Sequence, residues 1–594
     1  MPRFLRLLAA MALGAALPVG AALPVVLGEP VAPARSTTPE PHLRLAPAKA
    51  PGARVELADV AAEALEHVRQ QNLASTRSKA HAKSRRVVVG VVRATDGEVG
   101  APPASELAWT GVDGGFAARV TIVSPQAESL RLAVDVLGAP NDVEMVFFGS
   151  ADPARLEGPV RVGDIRDRTA PWWTPVTEGE AQTIEFFVPA RHEPKRLPLR
   201  VVRASHLFTT PSSNFTKRME DIGKSGSCNV DLACSALSSD AAFRAAAASV
   251  AQMVFNDGAY TALCSGTLLN DADSASQVPH FFSANHCFDN EAPPYKTAAQ
   301  MQAVASTLAT LWGFEAAACG SSSPRASWSQ RSGGASYVYS DPQNDALLLR
   351  LNDAPPGDAY FSGWDPNPIP GGASVVTIHH PQGDLKKVTQ GAVLGYAFPG
   401  VAGGSQPFIE TQWSRGTTEG GSSGSGLWTT GGSQWLFRGA LWGGSALCTN
   451  MSGTDFYSRF DVVYPAISRH LGAAGGGGGI DYTDLWWDPA ESGWGLNLIQ
   501  HPSRIIFGVW YTYGADGKRT WFVMPEGTWT SSNAYSGPLY STAGPSLAQS
   551  FDASKVRVSP VGNATLTFSD ANHGTFAFSV NGVSGTKRIT RQPF

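Results

Sequence analysis

Short apolar runs separated by turn residues dominate the chain, a pattern typical of β-strands. Between 87 and about 208 the runs are "SLRLAVDVLG", "VEMVFFG", "QTIEFFVPA" and "LPLRVVRAS". From 249 to 444 they are "SVAQMVF", "ALCSGTLL", "HFFSANHC", "ASYVYS", "DALLLRL", "ASVVTIHH" and "LFRGALWGG". Nearer the end, "GVWYTYGADGKRTWFVMP" alternates apolar and polar residues around Asp516 and Gly517, which predicts a hairpin. We therefore predict an all-β protein.

Two stretches show helical spacing instead. "ELADVAAEALEHVRQQ" at 56–71 predicts a short helix, and "VVYPAISRHLG" at 462–472 predicts a helix that closes a domain. Arg469 and His470 fall in the last turn of the second helix, where positive charge suits the helix dipole.

Changes in composition divide the chain of 594 residues into five segments. A leader covers 1–28, an N-terminal region 29–224, a cysteine-containing domain 225–471, a Gly-rich linker 472–480 and a Trp-rich β domain 481–594. The N-terminal region is predicted to be β-sandwich-like from about residue 87.

The leader has the features of a secretory signal. Arg3 and Arg6 precede an apolar stretch, and small residues near Ala21 or Gly28 suit cleavage. The alternative is a membrane anchor, which interruption of the apolar run by prolines disfavours. We predict a secreted protein without a membrane contact once the signal is removed.

Charge gives no sign of a nucleic-acid partner, since the formal net charge is -4. The basic run "TRSKAHAKSRR" at 76–86 is interpreted as a solvated, protease-sensitive segment rather than a binding patch.

All the cysteines lie in the domain 225–471. They are Cys228, Cys234, Cys264, Cys287, Cys319 and Cys448. An even number in an exported domain predicts disulfides, although spacing alone does not choose their pairing. A metal site is disfavoured because no C-x-x-C pair occurs. We predict neither a metal nor a cofactor.

"EGGSSGSG" at 419–426 has two interpretations. A glycine-rich loop can expose a serine hydroxyl and backbone amides to a substrate, but a flexible linker has the same composition. The choice depends on catalytic partners elsewhere.

His286 follows an apolar run and precedes Cys287, so a disulfide there would hold the backbone that aims the imidazole. The remaining histidines of this domain are interpreted as packing, turn or surface residues: His280, His379, His380 and His470.

A carboxylate is needed to orient that imidazole. Asp345, at the start of the apolar run "DALLLRL", is the first candidate, and the alternative for it is an ordinary turn aspartate. Asp341 and Asp353 are weaker candidates because both sit in turns.

The order His286, Asp345, Ser423 is that of the chymotrypsin-like double β-barrel. Six motifs in this order resemble the bacterial lysyl endopeptidases of the Achromobacter and Lysobacter type. They are "SGSCNVD" at 225–231, "ANHC" at 284–287, "NDALLLRLN" at 344–352, "GWD" at 363–365, "IHHP" at 378–381 and "TEGGSSGSG" at 418–426. The resemblance covers the whole cysteine-containing domain.

This resemblance implies a serine protease with Ser423 as nucleophile, His286 as base and Asp345 as its orienting acid. The amides of Gly421 and Ser423 would form the oxyanion hole. The implied disulfides are Cys228 to Cys448, Cys234 to Cys319 and Cys264 to Cys287.

Specificity is also predicted from the resemblance, because the acid found six residues before the nucleophile in trypsin-type enzymes is here Thr417. The family instead places an acid after the last cysteine, which matches Asp455 although two residues closer than expected. A solvated loop aspartate is the alternative, and Glu419 is the other acid nearby. The family's His and Trp beside the substrate are here Trp442 and Phe398, so a strict preference for Lys over Arg is not expected.

The same resemblance predicts processing. Lys224 precedes the first motif, so self-cleavage would leave Ser225 as the new N-terminus and release 29–224 as a pro-region. The residue before the nucleophile is Ser422 rather than an aspartate, so we predict activation by removal of a blocking or chaperoning pro-segment and not by an ion-pair switch.

The predicted partners are polypeptides with Lys or Arg at P1, and the predicted state is a monomer. Tryptophans of the tail predict contact with carbohydrate or another surface, or else core packing, the commoner fate. Two other functions stay open: a serine protease of different P1 preference, and a non-catalytic secreted protein that binds through the Trp-rich domain.

Overall fold

The structure is a computed structural model. It describes residues 23–592 except for 34–39, 47–51, 78–85, 96–100, 166–169, 210–223, 274–275, 290–292, 400–405, 473–481, 501–504, 532, 547, 549–551 and 571. Most of the predicted leader, basic run and Gly-rich linker therefore lies outside the described residues. The chain divides into two compact units, Met1–Pro465 and Ala466–Phe594, and each is described by itself.

The N-terminal region is a β-sandwich. Its elements are β1 (Glu29–Pro30), β2 (Ala53–Glu56), α1 (Ala62–Arg77), β3 (Val87–Ala94), β4 (Thr110–Val112), β5 (Gly115–Val123), β6 (Ser129–Asp135), β7 (Glu144–Gly149), β8 (Glu157–Arg161), β9 (Trp172–Trp173), β10 (Thr177–Glu178), β11 (Ala181–Pro189) and β12 (Arg200–Leu207). One sheet has the order β2-β5-β11-β7-β8, and the other contains β10-β6-β12-β3. Ile122 and Ile184 of the first sheet and Leu132 and Val201 of the second share one core.

Helix α1 begins six residues later than the predicted 56–71 helix. Glu56 instead ends β2, which pairs in parallel with β5, so the tertiary pairing overrides the local helical pattern.

The cysteine-containing domain begins with elements that pack around Phe255, Phe281 and Leu347. They are β13 (Val230–Asp231), α2 (Ala241–Ala248), β14 (Val250–Asp257), β15 (Tyr260–Leu269), β16 (His280–Ser283), α3 (Asn285–Phe288), α4 (Ala298–Ala305), β17 (Ala309–Trp312), β18 (Ser329–Arg331), β19 (Ala335–Asp341), β20 (Ala346–Leu351) and β21 (Tyr360–Phe361). Pairings run from β18 through β17, β14, β15, β16 and β20 to β19.

The second half of this domain is a closed barrel. Its elements are β22 (Ser374–His379), β23 (Lys387–Ala397), β24 (Phe408–Arg415), β25 (Gly426–Gly431), β26 (Gln434–Gly444), β27 (Thr454–Tyr457) and α5 (Phe460–Ile467). The ring β23-β22-β25-β26-β27-β24 closes because β24 also pairs with β23, and β13 adds to β23. Val393, Leu427 and Leu441 lie in its core.

The N-terminal region and the cysteine-containing domain share a sheet. Strand β3 pairs antiparallel with β15, with Val87 opposite Leu263 and Val91 opposite Tyr260. The pairing joins segments far apart in sequence, and it brings the residue before β3, Arg86, next to the turn that follows β16.

The C-terminal unit is a second closed barrel. Its strands are β28 (Asp484–Trp487), β29 (Gly495–Gln500), β30 (Ile506–Tyr513), β31 (Arg519–Met524), β32 (Thr528–Trp529), β33 (Ala534–Ala543), β34 (Arg557–Phe568), β35 (His573–Val580) and β36 (Val583–Arg591). Pairing of β31 with β33 closes the ring, and β30 and β31 form the predicted hairpin. The prediction of an all-β protein with a sandwich-like N-terminal region and a Trp-rich β domain is confirmed.

Candidate active site

The first part of the site is a histidine held by a disulfide-anchored turn. Strand β16 ends at Ser283, and the single helical turn α3 carries His286. The next residue, Cys287, is bonded to Cys264 on β15. The imidazole is thus attached to a backbone that two neighbouring strands fix.

Asp345 contacts this residue through both carboxylate oxygens. Asp345 Oδ1 accepts from the His286 backbone N–H at 2.9 Å, and Oδ2 lies 2.8 Å from His286 Nδ1. Both side chains are buried. An acceptor at Nδ1 places the ring proton on that nitrogen and directs Nε2 away from the carboxylate.

The conformation of Asp345 also favours this residue type. Its φ is 50°, in the left-handed region that aspartate and asparagine tolerate better than most residues. The weaker acid candidates have other partners: Asp341 accepts from Asn344 N at 3.1 Å, and Asp353 from Gly333 N at 2.7 Å. Burial raises the pKa of Asp353. Of the three aspartates, Asp345 is the one for which the structure shows a bond to the His286 imidazole.

The glycine-rich stretch is a tight loop, and the linker interpretation is wrong. Gly421 and Gly424 have φ of 83° and 80°, and the loop leads straight into β25. Ser423 O accepts from Ser265 N at 2.8 Å. A Cβ at Gly424 would lie 3.0 Å from Ala284 N, so the loop packs against the backbone two residues before His286.

The start of β3 covers this region. Arg86 donates to Cys287 O at 3.1 Å and pairs with Asp257 at 2.6 Å. Val87 touches the nucleophile loop, since a Cβ at Gly420 would lie 2.9 Å from its Cγ2. Ser423 is fully buried.

Asp455 lies on β27 with no solvent exposure, so the solvated-loop alternative is wrong. Its Oδ2 accepts from Trp413 Nε1 at 2.6 Å and from Thr418 Oγ1 at 2.7 Å. A Cβ at Gly444 would lie 2.4 Å from Oδ1, so glycine is required for this approach. Burial and the Asp455 charge hold the pKa of Tyr457 well above its usual value.

Glu419, the other acid near the site, faces a different segment. It accepts from Gly226 N at 3.1 Å and from Asn229 Nδ2 at 3.0 Å. It therefore contacts the residues that follow Lys224.

The cysteines form the same pairs that the resemblance implies. They are Cys228–Cys448, Cys234–Cys319 and Cys264–Cys287. In the chain-entropy model, cross-links that close loops of this length stabilise a fold by about 3 to 5 kcal/mol each.

Comparison with known proteins decides the family. Residues 222–458 match the model of the lysyl endopeptidase C-terminal domain, and residues 56–208 match that of the lysyl endopeptidase N-terminal domain. A lysyl endopeptidase of Pseudomonas aeruginosa is 34% identical over 374 residues, which cover 60% of this chain and 76% of that protein. The chain belongs to the lysyl endopeptidase family. It is accordingly a serine endopeptidase.

Similarity of this family member to solved structures is much weaker. The HtrA-type protease AlgW with tripeptide is 14% identical, with a TM-score of 0.26, over 59% of this chain and 95% of that one. The Rv3671c protease from M. tuberculosis in its active form is 17% identical, with a TM-score of 0.27, over 40% and 87%. Scores this low support no assignment.

The two aromatic residues that replace the family's His and Trp differ in exposure. Trp442 is buried, with ring centroids of Phe408 and Phe456 at 6.0 and 6.3 Å. Phe398 is 56% exposed. Only Phe398 of the two offers most of its ring to solvent.

Sequence reasoning missed the contacts of His379 in this family member. The structure places His379 Nδ1 2.7 Å from Ser422 Oγ and Nε2 3.1 Å from Thr389 Oγ1. Thr389 Oγ1 in turn donates to Thr417 O, so the imidazole joins both ends of the nucleophile loop. In the sequence, His379 is marked only by the motif "IHHP", which belongs to the family resemblance. No local feature of that motif predicts these contacts.

The next histidine is buried and remains a packing residue. His380 stacks on Phe314 with centroids 6.0 Å apart. Burial and the neighbouring Lys386 hold its pKa well below the usual value, so it is neutral at physiological pH.

The tryptophans of the C-terminal unit mainly build its core. Trp486 and Trp510 are buried there, and Trp494 and Trp529 pack against the same cluster. Trp521 is 51% exposed. Among the described residues, no helix is long and apolar enough to cross a membrane, and no group of three or more potential ligands is placed to hold a metal ion.

Proposed function

We propose that this family member is a secreted endopeptidase that hydrolyses the peptide bond after Lys, and also after Arg, and that it is made as a self-processed precursor. The observation that carries the proposal is the buried pair in which both oxygens of Asp345 bind His286. A histidine oriented in this way is the base that a serine nucleophile requires.

The proposed roles are those that the family resemblance implies. His286 takes the Ser423 proton as Oγ attacks the substrate carbonyl, and it then protonates the leaving amine. The Gly421 and Ser423 amides stabilise the oxyanion, with each donor worth about 3 to 4 kcal/mol in the transition state. Water then hydrolyses the acyl-enzyme through the same base.

Asp455 supplies the preference for a basic side chain. Its carboxylate is fully buried and contacts Thr418, which directly precedes the nucleophile loop. A buried carboxylate favours a cationic ligand, because desolvating the charge without a counter-charge is costly. Phe398 and Trp442 lack the titratable ring of the family pattern, which supports turnover of Arg together with Lys.

Contacts of the N-terminal region support a latent precursor. Arg86 donates to the carbonyl of Cys287, next to His286, and Val87 packs against the nucleophile loop. Ser423 is buried in this form and is therefore closed to a substrate. Cleavage after Lys224 separates this region from the protease domain. The three disulfides and the predicted signal support export.

The test is turnover of peptides that differ only at P1 by the mature chain, by Ser423→Ala and by Asp455→Asn. We expect Ser423→Ala to lose at least about 10⁴-fold in kcat/KM. We expect Asp455→Asn, whose amide oxygen can still accept from Trp413 and Thr418, to lose about 10²- to 10³-fold on Lys and Arg but little on norleucine. Equal turnover by wild type and Ser423→Ala would refute the serine mechanism, and an unchanged ratio of Lys to norleucine in Asp455→Asn would refute the specificity assignment.

A further inference from the structure

Two buried carboxylates face the residue that follows Lys224. The backbone N–H of Ser225 donates to Asp384 Oδ2 at 3.0 Å, and its hydroxyl donates to the same oxygen at 2.6 Å. The next amide, that of Gly226, donates to both oxygens of Glu419 at 3.1 and 3.2 Å. Asp384 and Glu419 are only 5% and 7% exposed. The nitrogen that cleavage would turn into an α-amine is therefore already seated against a buried acid.

We propose that Asp384, with Glu419 beside it, is the binding site for the α-ammonium group that cleavage after Lys224 creates on Ser225. This inference rests on the proposed cleavage. Hydrolysis adds water across the Lys224–Ser225 bond: the hydroxyl goes to the Lys224 carbonyl carbon and a proton to the Ser225 nitrogen. The amine then takes a further proton from solvent, because the usual pKa of an α-amine is about 7.7 to 8.0.

The groups around the site carry more negative than positive charge, so an added cation is favourable there. Lys387 Nζ lies 2.5 Å from Asp231 and 3.5 Å from Asp384, so one cation is shared between two carboxylates. Glu419 is the third carboxylate, and the nearby His380 is neutral. A second positive charge at Ser225 would bring the balance of these groups closer to zero, and it would turn the hydrogen bond to Asp384 into an ion pair.

A turn connects this site to the oxyanion hole. Asp384 follows the 3-10 turn Pro381–Gly383, and its carbonyl lies 3.0 Å from His380 Nδ1. Gln382 N donates to Gly420 O at 2.5 Å. A Cβ at Gly421 would lie 3.0 Å from His380 O. A contact that holds Asp384 in place therefore also holds the turn that packs against Gly421, the proposed oxyanion donor.

Asp384 is thus a positioning residue. In the precursor a neutral amide holds it, and in the mature chain an ammonium would hold it more firmly. This differs from the expectation, drawn from Ser422, that activation consists only of removing the pro-region. The acid that receives the new N-terminus lies on a separate turn instead of next to the nucleophile.

The test displaces the amine without changing the cleavage. One variant carries a glycine inserted between Lys224 and Ser225, and the matched control carries the glycine before Lys224. Both are cut after the same lysine and both lose the pro-region, but only the first moves the ammonium away from Asp384. We expect the displaced variant to lose at least tenfold in kcat/KM, chiefly in kcat, with the control equal to wild type; N-terminal sequencing verifies the cut.

Asp384→Asn gives a second readout. An asparagine oxygen still accepts from the neutral Ser225 amide, but the NH₂ group cannot accept from Leu385 N and the ion pair with Lys387 is lost, so the precursor should fold and unfold at a lower temperature than the wild-type precursor. The kcat values are therefore compared at a temperature at which both chains are folded. After maturation the amide cannot pair with an ammonium ion, and we expect kcat to fall at least tenfold, whereas Asp358→Asn, at an exposed acid, has no effect.

The outcomes separate the two proposals. Equal kcat in the displaced variant, its control and wild type would overturn the ammonium site while leaving the serine protease intact. An inactive wild-type chain would overturn the proposed function, and this inference with it.

Discussion

At the scale of single residues, one aspartate makes two separate contacts with the same histidine. Asp345 holds the His286 backbone with one oxygen and the imidazole with the other, so it fixes the position of the turn and the direction of Nε2 together. Its left-handed φ of 50° restricts which residues can replace it without distorting the backbone.

Asp345→Asn should therefore keep the fold and lose activity. Asparagine tolerates the same φ, but its NH₂ group cannot accept from Nδ1–H, so the imidazole is held in the wrong tautomer. We expect kcat to fall about 10⁴-fold with an unchanged thermal midpoint. Burst kinetics with an ester substrate and thermal unfolding measure both quantities. Activity within tenfold of wild type would contradict the role of Asp345.

Candidate residues could be assigned from the sequence where a local pattern marked them. His286 stood out through Cys287 and the preceding apolar run, and the family motifs singled out Asp455. No local pattern predicts the contact of Ser225 with Asp384, because the two residues are 159 positions apart in sequence and meet only in the folded chain. The closeness of Gly444 to Asp455 likewise depends on strand register, which sequence alone does not fix.

At the scale of elements, the end of the protease domain differs from its prediction. Helix α5 ends at Ile467, three residues before His470, so the helix dipole does not stabilise a cationic His470. Arg469 Nε instead donates to His470 Nε2 at 3.0 Å. Burial and the Arg469 charge lower the pKa of His470 to about 4.

This shift predicts a loss of stability in acid. The native state keeps His470 neutral down to about pH 4, whereas the unfolded chain binds a proton near its usual pKa of about 6.5. Between these values the unfolded state holds more protons, so the His470 contribution falls as pH drops from about 6.5 to 4 and is constant below. His470→Gln, which can still accept from Arg469, should reduce the fall in the thermal midpoint across this window. An identical pH dependence in both chains would contradict the assignment.

Elements were predictable where apolar runs were long. Strands β14, β15, β20 and β26 fall on their predicted runs. The pairing of β3 with β15 was not predicted, because local periodicity indicates that a segment is a strand but not which distant strand it pairs with. Closure of the barrels is a long-range property of the same kind.

At the scale of the whole molecule, one continuous sheet includes strands of the N-terminal region and of the protease domain. Buried Arg131 of the N-terminal region strengthens this association by donating to Val254 O and Thr307 O at 3.3 and 2.9 Å. On the proposed cleavage after Lys224 the covalent link is lost, and we expect these contacts to break before a substrate reaches Ser423.

Lys224→Gln should consequently accumulate as an intact, latent precursor. We expect its peptidase activity to be less than a hundredth of that of the matured wild-type chain, because Arg86 and Val87 continue to cover the site. Lys195→Gln, at an exposed lysine of the same region, should mature normally. Intact-mass spectrometry and peptide turnover check both outcomes. A fully active uncut chain would show that the N-terminal region does not block the site.

The most direct test of the triad is covalent labelling of the mature chain with diisopropyl fluorophosphate, followed by peptide mapping. The account predicts one label per chain, on Ser423, and its loss in His286→Ala because the base that activates the hydroxyl is gone. A label on another serine, or labelling of Ser423 at the same rate in His286→Ala, would contradict the assignment of these residues as one catalytic unit.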